Sequence, residues 1–190
     1  MLTHAVSDDL GLVLVEPRHA ESLFRLVDQN RAHLRQWLPW VDATRSAEDT
    51  VAFIRGTQKQ FGENNGFQTA LLYRGEIAGM VGHLQIDWHN RSTGLGYWLA
   101  EAYQGRGLMT RACQAYVEHA FAALNLDRVE IRAATQNQRS CRIPERLGFQ
   151  REGVVRQAEW LYDHFVDHAV YGLLRDEWKP AASGVVRPDP

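Results

Sequence analysis

The sequence predicts a mixed α/β fold built on a predominantly antiparallel sheet. Three observations predict it. Runs with strand-like alternation and runs with the three- and four-residue spacing of a helix follow one another along the chain. Two strand-like runs, Phe67 to Tyr73 and Glu76 to Asp87, are separated only by Arg74 and Gly75, as in a hairpin. Hydrophobic residues make up 45% and charged residues 23% of 190 residues, enough to bury the core of one domain and too little room for two.

In order, Leu12 to Val15 is a short strand ending before Pro17, and Ala20 to Gln29 is a helix with Leu23, Leu26 and Val27 on one face. Arg31 to Trp40 reads as a second short helix stopped at Pro39, because the residue before proline is pushed out of the α region. Ser46 caps a third helix to about Phe61, with Glu48 and Asp49 near its positive end. The hairpin follows, then a strand from Arg91 to Leu99. The best helix runs from Met109 to Leu124, with Met109, Cys113, Tyr116, Val117, Ala120, Phe121 and Leu124 on one face. Arg128 to Ala133 alternates as a strand, Ser140 to Leu147 is a helix closed by Gly148, and Phe149 to Trp160 and Phe165 to Leu174 close the sheet. Residues 1–179 form one domain in this reading, and 180–190, with Pro180, Pro188 and Pro190, a loose tail.

The formal net charge of −2 supplies no phosphate-neutralising excess, so no direct nucleic-acid partner is expected. Met1 to Leu10 lacks the pattern of a signal peptide, and no apolar run is long enough for a membrane span. Cys113 and Cys141 fall in helices without a CxxC, which suits a reducing cytoplasm. His164 and His168 are four apart, but on a strand that spacing lacks helical zinc geometry, and no HExxH occurs, so no metal is expected. His83 and His89 are read as surface or turn residues.

The segment from Leu99 to Thr110 contains Gln104-Gly105-Arg106-Gly107 between a strand and the start of the best helix. Glycines let successive N–H groups turn to one side, and the first helical turn adds unpaired donors and partial positive charge. A diphosphate fits that demand; so does a plain strand-to-helix connector. A P-loop is excluded, since no Gly-Lys-Ser/Thr follows, and Gly94-Leu95-Gly96 is not a dinucleotide fingerprint, since Leu99 replaces its third glycine inside a strand.

Gln104 to Gly107 before a long helix, then a strand, Asn137-Gln138-Arg139-Ser140 and Pro144 to Phe149, resembles the acetyl-CoA-binding core of the GNAT N-acetyltransferases. Within that superfamily Leu34 to Asp42, Arg142 to Phe149 and Glu152 to Glu159 are similar to the Rim-type (RimL/RimJ-like) ribosomal-protein N-terminal acetyltransferases. The resemblance implies the GNAT fold, a mixed, mostly antiparallel sheet of about seven strands flanked by helices, with a V-shaped splay between central strands. It implies that backbone N–H groups of Gln104, Gly105, Arg106, Gly107, Leu108, Met109 and Thr110 hold the coenzyme A pyrophosphate. The pantetheine arm would lie between strands near Trp98 and Leu99 and near Ala133 to Asn137. Met109 stands where the superfamily usually has Gly or Ala, which bears on how closely the helix approaches the cofactor.

By the same resemblance Glu159 is the general base, acting directly or through water, and Ser140 protonates or hydrogen-bonds the departing sulfur. Taken alone, Glu159 also reads as an exposed edge-strand charge, Ser140 as an N-cap, and Asn137, which would offer an amide to the pantetheine or the loop, as a turn asparagine. Trp37 and Trp40, around Pro39, form an aromatic wall for an acceptor peptide or a core cluster, with one expected in each role. The expected activity is acetyl transfer from acetyl-CoA to a primary amine, foremost the N-terminal α-amine of a ribosomal protein, whose pKa of about 7.7–8.0 makes deprotonation cheap. Two alternatives stand beside it: a small-molecule amine (polyamine, amino acid or antibiotic) as acceptor, or a catalytically silent acyl-CoA-binding module. A homodimer is left open.

Overall fold

The computed structural model describes residues 3–179, so the predicted tail at 180–190 lies outside the described residues. Eight strands form one sheet: β1 (Thr3–Ser7), β2 (Leu10–Leu14), β3 (Phe67–Tyr73), β4 (Glu76–Asp87), β5 (Ser92–Leu99), β6 (Arg128–Ala134), β7 (Gln150–Leu161) and β8 (His164–Leu174). Their spatial order is β1-β2-β3-β4-β5-β6-β8-β7. Every neighbouring pair is antiparallel except β5 and β6, which run parallel. That parallel pairing covers only Ser92 to Leu95 against Arg128 to Ile131; beyond it the two strands separate, and this is the expected splay.

Five helices flank the sheet: α1 (Ala20–Gln29), α2 (Arg31–Leu34), α3 (Ala47–Gly62), α4 (Leu108–Glu118) and α5 (Gln138–Arg146). α1 and α3 pack on the β3–β4 side of one face, and α4 and α5 cover the other. The larger core lies under α4, where Leu108, Ala112, Cys113, Tyr116 and Val117 meet Val81, Leu95, Ile131, Tyr171 and Leu173. A smaller one joins Leu23 and Ile54 to Val13, Val15, Ala70 and Met80. Each fully buried aliphatic side chain contributes on the order of 1.5–3 kcal/mol, so this two-sided burial stabilises the sheet.

Local chemistry sets the ends. Ser46 caps α3: its Oγ accepts from the Asp49 N–H at 3.4 Å while the Asp49 carboxylate accepts from the Ser46 N–H at 2.9 Å. Gly148, at φ +82°, follows α5 in the left-handed conformation that ends a helix.

Several expectations change. β1 is an eighth strand; its mostly exposed Thr3 to Ser7 carries no apolar alternation to betray it. α2 stops at Leu34 instead of reaching Trp40, because Arg31 donates to the carbonyls of Val41 and Thr44 and folds the following segment back as turns. The α4 helix changes after Glu118 into a π-helical turn over His119–Ala123. His83 is not a surface residue: it is fully buried, its ring 5.1 Å from Phe67 and 4.9 Å from Tyr116. An inward position on β4 facing α4 outweighs the polarity of the side chain.

Candidate active site

Two adjoining cavities open where β5 and β6 part. The first, about 910 Å³, is lined by all the residues predicted to hold a cofactor: Trp98, Leu99, Gln104 through Thr110, Asn137 and Ser140. Gly105 and Gly107 have φ of +75° and +70°, and a Cβ at either would meet nothing within 4 Å. Glycine is therefore needed there for backbone conformation, leaving the loop open to whatever lies above it. Gly107 is the N-cap of α4, so the first-turn N–H groups, which have no intrahelical acceptor, point into this cavity's rim together with the positive end of the helix dipole. Arg106, Arg139, Arg142 and Arg146 line the same cavity. Backbone donors, dipole and guanidinium groups together fit a polyanionic ligand. Met109 turns its side chain into the core, 5% exposed, so its bulk is kept away from the donors.

The loop is tied to its surroundings through Gln104, whose amide contacts His33 Nε2 at 2.7 Å and accepts from the Arg139 guanidinium. Asn30 Oδ1 accepts from the Glu101 N–H at 3.0 Å. These contacts join the α1–α2 corner and α5 to the glycine loop.

The second cavity, about 790 Å³, is lined by Trp37, Trp40, Trp98, Asn137, Ser140, Glu159 and His168 among mainly apolar neighbours. Trp37, Tyr97, Trp98, Asn137 and Ser140 line both cavities and so form the passage between them. Trp40 packs on Val27, Leu34 and Val41, with its ring 6.1 Å from Trp98; it serves a small core and the cavity wall at once. The expected division of the two tryptophans between core and channel is thus replaced by Trp37 in the passage and Trp40 in both settings.

Ser140 is not the helix cap. Asn137 is: its Oδ1 accepts from the Ser140 N–H at 3.2 Å. The Asn137 amide is accordingly engaged at the helix start, and the Ser140 hydroxyl is released from that duty. Pro144, inside α5, has no N–H to offer the Ser140 carbonyl four residues earlier. The Tyr97 hydroxyl takes that place, donating to the Ser140 carbonyl at 3.3 Å and accepting from Ser140 Oγ at 3.2 Å. Burial pushes the Tyr97 phenol well above its ordinary range, so it stays protonated and able to donate.

Glu159 sits within β7 next to an irregularity between Val155 and Glu159 in the pairing with β8. Gln157 there has φ +48°, and its N–H donates to Asp167 Oδ1 at 2.8 Å. The displaced register turns the Glu159 carboxylate into the cavity, where it lies 3.5 Å from His168 Nε2. Among the described residues no group of three or more His, Cys, Asp or Glu side chains is arranged to hold a metal ion.

Sequence reasoning passed over Tyr97 and weighed His168 only as half of a zinc pair with His164. A signal existed for each: Pro144 four residues after Ser140 announces an unpaired carbonyl, and strand alternation sets His168 on the same face of β8 as Val166, the partner of Glu159. Their meeting depends on tertiary register, which no local pattern carries.

A model of the acetyltransferase (GNAT) domain matches residues 9–150. The putative ribosomal N-acetyltransferase YdaF of Bacillus subtilis is 36% identical, over 94% of this chain and 98% of its own. The ribosomal-protein-serine acetyltransferase of Escherichia coli is 30% identical, over 92% of this chain and 97% of its own. The solved structure of RimL, a ribosomal L7/L12 alpha-N-protein acetyltransferase in complex with coenzyme A, has a TM-score of 0.89 at 29% identity, covering 93% of this chain and 99% of that one.

Proposed function

The chain belongs to the GNAT acetyltransferase family, and from that premise we propose that it transfers acetyl from acetyl-CoA to the N-terminal α-amine of a protein, foremost a ribosomal protein, in the cytoplasm. The observation that carries the reading is the passage at Ser140: a polyanion-binding cavity and a cavity bearing a carboxylate meet there. Acetyl-CoA, when bound, supplies an acetyl group activated as a thioester. The Gln104–Thr110 backbone and the flanking arginines hold its phosphates, and Trp98, Leu99 and Asn137 border the path of the pantetheine arm.

Glu159, directly or through one water, accepts the proton that the attacking amine gives up, and His168 beside it orients the carboxylate. The Ser140 hydroxyl turns from Tyr97, to which it otherwise donates, and donates towards the sulfur as negative charge develops on it, while the Tyr97 hydroxyl keeps its own hydrogen bond to the serine carbonyl. Positioning supplies the rest, on the order of 7–11 kcal/mol where two reactants are held in near-attack geometry. The names of the relatives support a protein acceptor: one is a ribosomal-protein-serine acetyltransferase, and YdaF carries the name of a putative ribosomal N-acetyltransferase.

Release of free thiol from acetyl-CoA, followed with peptides copying ribosomal-protein N-termini and with polyamines, amino acids and aminoglycosides, tests the reading. Turnover with peptides alone is expected. Turnover with small amines alone replaces the acceptor, and tight coenzyme A binding without any release makes the protein a silent binder.

A further inference from the structure

The acceptor cavity is larger and more apolar than a reacting amine requires, and its floor is built from an unusual part of the sheet. β4 and β5 place two glycines opposite each other, Gly82 and Gly96, on the cavity face, next to the opposed pair Met80 and Trp98. The Gln68 side chain fills the space over Gly82, so of this glycine pair the cavity reaches Gly96 alone. On one side of the pair His83 pairs with Leu95 but Ile86 pairs with Thr93, so two residues of β4, Leu84 and Gln85, stand against one of β5, Gly94, in a β-bulge. Bulges re-aim side chains, and Leu84 is laid across Gly96, where an added Cβ would come 2.6 Å from Leu84 Cδ2.

Leu84 is 53% exposed and, across the cavity on α3, Phe53 is 47% exposed; both line the cavity. The charges of the cavity lie elsewhere: Glu130, Arg132, His168 and Glu159 stand on β6, β8 and β7. The remaining one, Asp49, is occupied by the cap of α3. The cavity thus has a polar end at the candidate base and an apolar end between Phe53 and Leu84, continuous with each other.

Resting on the proposed protein acceptor, we propose that Phe53 and the Leu84 laid across Gly96 form a subsite for an apolar side chain at the second or third residue of the acceptor polypeptide. The candidate base stands at the β7–β8 end of the cavity and Leu84 at its β4 end. An extended acceptor with its amine at the first end lays its following residues towards the second, where burying an apolar group also removes water from Phe53 and Leu84.

Peptides differing only at the second or third residue, Ile, Ala or Asp, test this through their kcat/KM values. At one of the two positions Ile should exceed Ala on the order of tenfold, and Asp should be poorer still. Leu84→Ala and Phe53→Ala should bring the Ile-to-Ala ratio close to one. Gly96→Ala should do the same with both apolar side chains retained, because it lifts Leu84 from its seat. Coenzyme A affinity, measured on each variant, reports that the fold and the first cavity survive. Equal rates for all three peptides at both positions, or an undiminished ratio in the variants, overturns the subsite and leaves a protein acceptor standing. Failure of every peptide alongside turnover of a small amine overturns both.

Discussion

At the scale of single residues, the chemistry divides among groups whose neighbours assign their parts. Glu159 is held where its carboxylate faces the cavity and touches His168. Glu159→Gln keeps the shape and removes the proposed proton acceptor, so acetylation near neutral pH should fall by on the order of 10²-fold, with coenzyme A affinity unchanged. The loss should shrink as pH rises past the α-amine pKa of about 8, where more acceptor is already neutral; a pH–rate profile of the variant parallel to wild type rules out the base. Asn137 and Ser140 separate structure from chemistry in the same turn. Because Asn137 caps α5 through its side chain and Ser140 takes part in that bond only through its backbone, Asn137→Ala should cost about 1 kcal/mol of stability. Ser140→Ala should lower turnover with little change in melting temperature. A larger stability loss in the serine variant would return it to a structural role. The serine motif was visible in the sequence, but its freedom from capping was not, because Asn and Ser are equally good caps and only the observed backbone chooses between them.

At the scale of elements, the glycine loop and α4 act as one unit. Gly107, at φ +70°, begins the helix and aims its first N–H groups. Proline fixes φ near −65°, so Gly107→Pro cannot keep that backbone, and coenzyme A affinity should drop far more than tenfold. Arg106→Ala removes one flanking charge in solvent and should cost only a few-fold. Equal losses in two folded variants would mean that side-chain charge, not backbone shape, binds the ligand. This loop was legible in the sequence because glycine spacing and a following amphipathic helix are local facts. The hairpin at Arg74 and Gly75, and the limits of α1 and α3, were legible for the same reason. β1 was not, since its exposed residues alternate nothing, and neither was the early end of α2, which depends on Arg31 reaching carbonyls ten and thirteen residues away. The β4 bulge and the irregular register of β7 were hidden too; each is a slip in the pairing of two strands that no residue pattern announces, and each aims a side chain into the second cavity.

At the scale of the whole molecule, the helical layers cover the sheet unequally. α4 and α5 close one face, while α1 and α3 leave the β6–β8–β7 side of the other face uncovered, and the second cavity lies at that boundary. The closed face carries an unusual component: His83 is fully buried among Phe67, Tyr116 and His119, with Thr93 Oγ1 at 3.4 Å from Nδ1 and no partner for Nε2. Burial, with the nearby His119, lowers its pKa to about 3, and burial lowers that of His119 as well. The sign follows from linkage. An unfolded histidine titrates near 6.5, so above that pH neutral His83 costs nothing, whereas below it the unfolded chain gains protons that the folded chain refuses. Stability is therefore complete above about pH 6.5 and falls by up to ~1.4 kcal/mol per pH unit on the way down to the folded pKa. Between pH 7 and pH 5 this single residue should remove ~2 kcal/mol. His83→Phe deletes the titration while keeping a ring in the cluster. Whatever overpacking costs the variant at pH 7, its urea-unfolding free energy should decline less between pH 7 and pH 5 than that of the wild type, by about the same ~2 kcal/mol. The slope left over belongs to His119 and the other groups that lose protons on folding. Identical slopes in the two proteins would mean that His83 accepts a proton without leaving its place in the core.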